Sequence, residues 1–306
     1  MRAATREAGS SQVRMHDGEI DIDTELVRRL VAAQRPDLSR LEIRAVRSTG
    51  TVNAIFRVGE HLCARLPRVR QWASDLEREW HWLPRLAPRL PLQVPEPVSR
   101  GRPTEEYPYP WAIYTWIDGQ PYADDLIDDE RLAAADLAQF VLELRRSHPV
   151  DGAPPGGRRP LRELDDDTRA AIGSARDVID VDAATTAWQR ALAAPVWTGT
   201  PVWIHGDLLR PNLLVRGGQL RAVIDFGSIG VGDPAADVIA AWSVFGHAGR
   251  DVFRTALDDD EGTWERARGF ALHQAAVIIP YYRESNPGFV AMALRTLEEI
   301  GADLGS

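Results

Sequence analysis

One stretch limits what this chain can fold into more than any other. It reads Trp203-Ile204-His205-Gly206-Asp207-Leu208-Leu209-Arg210-Pro211-Asn212-Leu213-Leu214-Val215, then Arg216-Gly217-Gly218-Gln219, then Leu220-Arg221-Ala222-Val223-Ile224-Asp225-Phe226-Gly227. Two apolar runs flank a glycine pair, the pattern of a β-hairpin with a short polar turn. With the turn centred on Gly217 and Gly218, strand pairing sets Asp225 opposite Arg210 and beside Asn212. Both oxygen-bearing side chains then lie at the open end of the hairpin, and Asp207, on the irregular segment before it, reaches the same place. Two hard oxygen ligands beside a free carboxylate suit Mg²⁺, bound phosphate and a hydroxyl awaiting deprotonation. Taken singly, each residue also has an ordinary reading: Asp207 caps a turn, Asn212 forms a side-chain turn, and Asp225 ends a strand before Gly227.

The combination is more specific than its parts. His-x-Asp, an Asn after a short spacing, a hairpin and Asp-Phe-Gly follow the order of the protein-kinase catalytic and metal loops, with Gly206 where those kinases carry Arg. With Gly206 and the later Gly232-Asp233-Pro234, the chain resembles the aminoglycoside phosphotransferase family of small-molecule kinases. It departs from the common family pattern at Leu209, Arg210 and Pro211, where spacing is kept. The resemblance implies an α+β, bilobal, protein-kinase-like fold. An N-lobe of antiparallel sheet plus helix is expected over residues 19–117, and a larger, mainly helical C-lobe over residues 118–306. Residues 1–18 are polar and are expected to be a disordered extension, with Met15 as an alternative start. In this family reading Asp207 accepts or orients the hydroxyl proton, Asn212 and Asp225 hold Mg²⁺, His205 braces the loop, and Asp237 bonds back to it.

Upstream residues supply what the hairpin lacks. Residues 41–46, 54–58 and 61–66 read as strands, separated by Ser48-Thr49-Gly50-Thr51 and by Gly59-Glu60. The resemblance assigns Ser48, Thr49 and Gly50 to the loop that covers the ATP phosphates, although one glycine between strands is also what an ordinary turn shows. On the third strand, Arg65 stands where kinases place the phosphate-binding lysine; it keeps the charge but is bulkier and forked. Residues 75–86 carry Leu76, Glu79, Leu83 and Leu86 at helical spacing, so Glu79 points inward and needs a partner. Arg65 is the natural one, with Glu77 as the alternative carboxylate. Pro84 is expected to kink this helix. Residues 92–98 and 111–117 read as further strands, and by resemblance Thr115 and Ile117 hydrogen-bond the adenine with Tyr114 beside the base.

The rest of the chain reads as helices. Residues 23–34 form an amphipathic helix capped by Asp23 or Thr24. Residues 129–147 form a longer one with Leu132, Leu137, Phe140, Val141 and Leu144 inward. Residues 161–194 are helical and include Asp165-Asp166-Asp167, which either starts a helix or faces solvent; by resemblance this region lines the acceptor pocket. Asp233 caps a helix opened by Pro234 and running through Trp242 to Phe245. Residues 263–277 and 287–304 are helical around a connector at residues 280–287.

A net charge of -9 leaves no excess of cations for a nucleic-acid backbone and is compatible with a cationic acceptor. A single cysteine, Cys63, excludes an intrachain disulfide and a cysteine zinc cluster, and a cytoplasmic setting fits. No run of about 18 apolar residues spans a membrane. The Gly-x-Ser-x-Gly spacing of a hydrolase is absent around Ser228. The expectation is therefore ATP-dependent transfer of a γ-phosphate to a hydroxyl of a small molecule. Aminoglycosides, macrolides, other antibiotics, sugars and amino alcohols remain open as acceptors. An inactive nucleotide-binding protein is the alternative.

Overall fold

The structure, a computed structural model, describes residues 20–46 and 52–305. The expectations for residues 1–18 and for Ser48, Thr49 and Gly50 lie outside the described residues. The elements run α1 (Thr24–Gln34), β1 (Ile43–Ala45), β2 (Asn53–Val58), β3 (Leu62–Pro67), α2 (Ala73–Leu86), β4 (Pro97–Gly101), β5 (Trp111–Thr115), β6 (Gln120–Pro121) and α3 (Glu130–Arg146). They continue through α4 (Asp165–Ser174), α5 (Val181–Leu192), β7 (Val202–Ile204), β8 (Leu213–Arg216), β9 (Gln219–Val223) and β10 (Gly230–Gly232). Five helices complete the chain: α6 (Ala235–Val238), α7 (Ala240–Ser243), α8 (His247–Leu257), α9 (Glu261–Tyr282) and α10 (Pro287–Gly305).

The first five strands form one antiparallel sheet in the order β1-β2-β3-β5-β4. α1 covers one face, burying Leu26, Val27, Leu30 and Val31 against Phe56, Val58 and Leu66. Asp23 caps it, accepting from the Leu26 N–H at 2.7 Å. α2 covers the other face, where Leu76 meets Cys63, Ala112 and Tyr114. Its C-terminal half, Trp82, Leu83 and Leu86, belongs instead to the large helical core, so α2 ties the sheet to the rest of the molecule. α2 runs through Pro84 to Leu86.

The helical part is built around α9, which is buried on most sides and packs against α4, α5, α6 and α10. Side-chain carboxylates start several helices. Asp129 accepts from Arg131 N–H at 2.9 Å, Asp180 from Ala183 N–H at 2.9 Å, and Asp260 from Thr263 N–H at 2.7 Å. No described helix is long and apolar enough to cross a membrane.

Several expectations need correction. Residues 92–98 are not one strand: β4 begins at Pro97, and Gln93 makes an isolated bridge to Ala222. Leu132 is 46% exposed, because the buried stripe of α3 is Ala133, Ala134, Leu137, Ala138, Phe140, Val141 and Leu144. Residues 161–194 divide into a short 3-10 turn, α4 and α5. α9 continues through Pro280 to Tyr282, where a connector is expected, and residues 235–243 form two short helices. The hairpin carries a bulge between Leu214 and Val215, so Leu213 pairs with Val223 while Arg216 pairs with Gln219. That one-residue shift carries Asp225 past Arg210 to the level of Pro211.

Candidate active site

β3 supplies Arg65 and α2 supplies Glu79, and the two meet inside the molecule. Arg65 Nη1 donates to both Glu79 carboxylate oxygens, at 2.6 and 2.8 Å. The inward stripe thus selects Glu79, which is fully buried; Glu77 pairs with Arg100 at the surface. Arg65 Nη2 reaches Asp225 Oδ1 at 2.8 Å, so one guanidinium bridges the sheet helix and the hairpin end. Burial alone would lower the Arg65 pKa, but the two carboxylates overcome it and hold the group firmly charged.

The segment from His205 to Asn212 is fixed from behind. Asp237, at the start of the short helices, accepts the His205 and Gly206 N–H groups, each at 2.8 Å. The His205 ring stacks edge-on against Phe226 with centroids 4.7 Å apart. Its Nδ1 accepts from Asp207 N–H at 3.2 Å, so Nε2 carries the proton and donates to the Ile224 carbonyl at 3.1 Å. Gly206 has φ +84, and a Cβ there would lie 3.0 Å from the Ser228 carbonyl oxygen. Glycine is needed at that bend.

Asp207 and Asn212 are joined directly. Asn212 Nδ2 donates to the Asp207 carbonyl and to Asp207 Oδ2, both at 2.9 Å. That fixes the amide with Oδ1 turned away and free to accept. Asp225 sits in the left-handed region at φ 67, an uncommon conformation for a residue with a side chain. Its Oδ1 is held by Arg65, leaving Oδ2. Burial, and next the Asp225 charge, raise the Asp207 carboxyl above its usual range, opposed by His205, Arg158 and Gln274.

Arg65, Thr115, Ile117, Asn212 and Asp225 line one cavity of about 390 Å³ between the sheet and the hairpin. Asn53 and Trp116 also line it, and Asn53 Oδ1 is buried without a hydrogen-bond partner among the described residues. A nucleotide fits this lining: an apolar slot of Ile55, Pro95, Leu214 and Ile224, with cationic and oxygen-rich groups at one end. Mg²⁺ fits the Asn212 and Asp225 oxygens, since it takes few protein ligands and completes its shell with phosphate and water. Among the described residues no group of three or more His, Cys, Asp or Glu could hold a metal by itself.

Two residues near the site lie outside the motif, and a third, Arg210, lies within it. Gln274 Nε2, from α9, donates to Asp207 Oδ1 at 3.2 Å, and Arg158 Nη2 donates to Gln274 Oε1 at 2.8 Å. Arg210, which replaces the family's usual residue, forks onto Asp124 and the Val244 carbonyl and braces the loop.

Known proteins resemble this chain in sequence and in fold. Viomycin phosphotransferase of Streptomyces vinaceus is 30% identical over 238 residues, covering 71% of this chain and 81% of that protein. An uncharacterized Bacillus subtilis protein is 26% identical over 166 residues, covering 51% of this chain and 50% of its own length. Among solved structures, the GDP complex of aminoglycoside 2'-phosphotransferase-IIIa superposes with TM-score 0.72 at 22% identity, covering 92% of this chain and 100% of that one. The macrolide 2'-phosphotransferase of Brachybacterium faecium does so with TM-score 0.59 at 23% identity, over 89% and 98%. These structural likenesses establish the kinase-like α+β fold. The sequence profile of the phosphotransferase enzyme family matches residues 42–270, a span that holds both Arg65 and the hairpin, and the chain belongs to that family.

Proposed function

We propose that this phosphotransferase moves the γ-phosphate of ATP to a hydroxyl of a small-molecule antibiotic, of the aminoglycoside, viomycin or macrolide kind. The observation that carries the reading is the joining of Arg65, Asn212 and Asp225 in one cavity, with Asp207 hydrogen-bonded to Asn212 at its edge. Relatives named for viomycin, aminoglycosides and macrolides support the acceptor class, and GDP, ADP and ATP complexes among the similar structures support the nucleotide.

In this reading each Asp207 oxygen takes one donor, from Asn212 or Gln274, and keeps a lone pair for the acceptor hydroxyl. The carboxylate orients that hydroxyl and receives its proton as the oxygen attacks phosphorus. Arg65, steadied by Glu79, neutralises phosphate charge. Asn212 Oδ1 and Asp225 Oδ2 would hold Mg²⁺, which when bound offsets charge on the transferring phosphate. Thr115 and Ile117 hold the adenine through their backbone, and the lobes divide near residues 117 and 118. The acceptor enters from the helical side, where Asp207 meets α9.

Incubating the protein with Mg-ATP and kanamycin, viomycin or erythromycin, followed by mass spectrometry, tests the proposal. Gain of one phosphoryl group on any of them is expected. ATP binding with no phosphorylated product from these or from a wider set of hydroxylated antibiotics would reject it in favour of a metabolite kinase or a nucleotide-binding module.

A further inference from the structure

Asp207 is gripped by residues outside the motif. Asn212 holds Oδ2 from within the loop, but the donor on Oδ1 is Gln274, on a helix remote in sequence. A glutamine amide can present either its oxygen or its nitrogen, and only the nitrogen suits a carboxylate. Arg158 decides which. Its guanidinium can only donate, and its Nη2 lies 2.8 Å from Gln274 Oε1, so the amide must face Arg158 with oxygen and Asp207 with nitrogen.

Arg158 is costly where it stands. Among the described residues it makes no ion pair, and its Nε is buried without a hydrogen-bond partner. Burial pulls its pKa below the ordinary value, while Asp207 and Asp237 oppose that. A half-buried guanidinium whose Nε is shut off from solvent, with no carboxylate contact, is costly for the fold alone. Its field acts on Asp207 and on Asp237 behind the loop, and the one side-chain hydrogen bond it makes among the described residues sets the Gln274 amide.

We propose that Arg158 and Gln274 are positioning residues that lock the Asp207 carboxylate in the orientation needed to receive the acceptor hydroxyl. The inference rests on the role of Asp207 proposed above. The lock reaches the loop from the acceptor side: Arg158 lies between α3 and α4, and Gln274 on α9. The nucleotide cavity is lined by neither residue. Loss of the lock should therefore fall on kcat rather than on nucleotide binding.

Gln274→Glu separates positioning from packing. The glutamate keeps a partner for Arg158, here as an ion pair, but removes the donor to Asp207 and sets a carboxylate against it. Expected is a fall in kcat on the order of 100-fold, with KM for Mg-ATP within about threefold and an unfolding midpoint no lower than that of the wild type. Arg158→Lys should recover most of the activity that Arg158→Ala loses, and Arg158→Ala should add little to Gln274→Ala. Kanamycin, viomycin and water serve as acceptors. Wild-type kcat in Gln274→Glu, or additive losses in the double variant, would overturn the lock.

A second measurement does not depend on turnover. The Gln274 side-chain amide protons, followed by NMR, should exchange slowly with solvent and shift in both Asp207→Asn and Arg158→Ala. Exchange as fast as in a free glutamine would overturn the proposal even if no acceptor is phosphorylated. Absence of transfer to every acceptor by the wild type, with the amide still protected, would instead reject the phosphotransfer reading of the site and leave the lock standing.

Discussion

Arg65 carries more of the site than a lysine could. Two of its nitrogens serve two carboxylates on separate elements, Glu79 on α2 and Asp225 after β9, at 2.6 to 2.8 Å. An ammonium is a point charge and lacks this fork. Arg65→Lys should fold and pair with Glu79, yet weaken Mg-ATP binding by about tenfold, or roughly 1.4 kcal/mol, as read by calorimetry. Arg65→Ala is a different experiment, because it strands a buried carboxylate. Its cost is about 3–5 kcal/mol of stability, visible as a lower midpoint in urea.

Among the elements, the hairpin and the helices behind it are where sequence and structure meet and part. Asp207, Asn212 and Asp225 fall near one another because their segment is contiguous, and short-range spacing brings them together. The bulge at Leu214 and Val215 has no signature there, and it moves Asp225 by one position. Glu79 was legible as Arg65's partner because helical periodicity alone turns it inward. Gln274 and Arg158 were not, since they meet Asp207 only through the packing of α9 and the loop before α4. α8 was missed, although its N-terminal Gly246 and Gly249 N–H groups bond Glu130 at 2.7 and 3.0 Å, a contact no local pattern announces. Pro280 broke the expected helix, yet tertiary packing holds α9 through it.

Two predictions belong at this scale. Asp237 receives both loop N–H groups, and asparagine would turn an NH₂ toward one of them. Asp237→Asn should cost about 1–3 kcal/mol in chemical denaturation, with kcat falling. On α4, Thr168 gives its only hydroxyl proton to the Leu164 carbonyl, so His273 Nδ1, on α9, must donate to Thr168 Oγ1 at 2.8 Å. Burial, helped by Arg158, lowers the His273 pKa from 6.5 to about 4. The unfolded chain then binds a proton that the folded chain refuses. The contribution of His273 to stability is full above pH 6.5 and is lost as pH falls toward 4. Thermal melts at pH 7.5 and pH 5 should show a smaller acid-side drop in His273→Asn than in the wild type, by on the order of 3 °C.

For the whole molecule, the decisive feature is that the cavity proposed for the nucleotide lies between two bodies with separate cores, joined by α2. A ligand filling it must stabilise the folded chain by linkage. Mg-ATP at about 100 times its Kd should add roughly 2.7 kcal/mol, seen as a raised Tm, and Asp225→Ala should abolish most of that gain. In the proposed reading the chemistry hangs on one carboxylate, Asp207. The most direct measurement is single-turnover transfer of labelled γ-phosphate from Mg-ATP to an accepted antibiotic, by the wild type and by Asp207→Asn, with Mg-ATP affinity measured alongside. The expected result is a rate lower by about 100-fold to 10,000-fold at unchanged affinity. Transfer by Asp207→Asn at the wild-type rate would contradict the assignment of this site as the phosphotransfer centre.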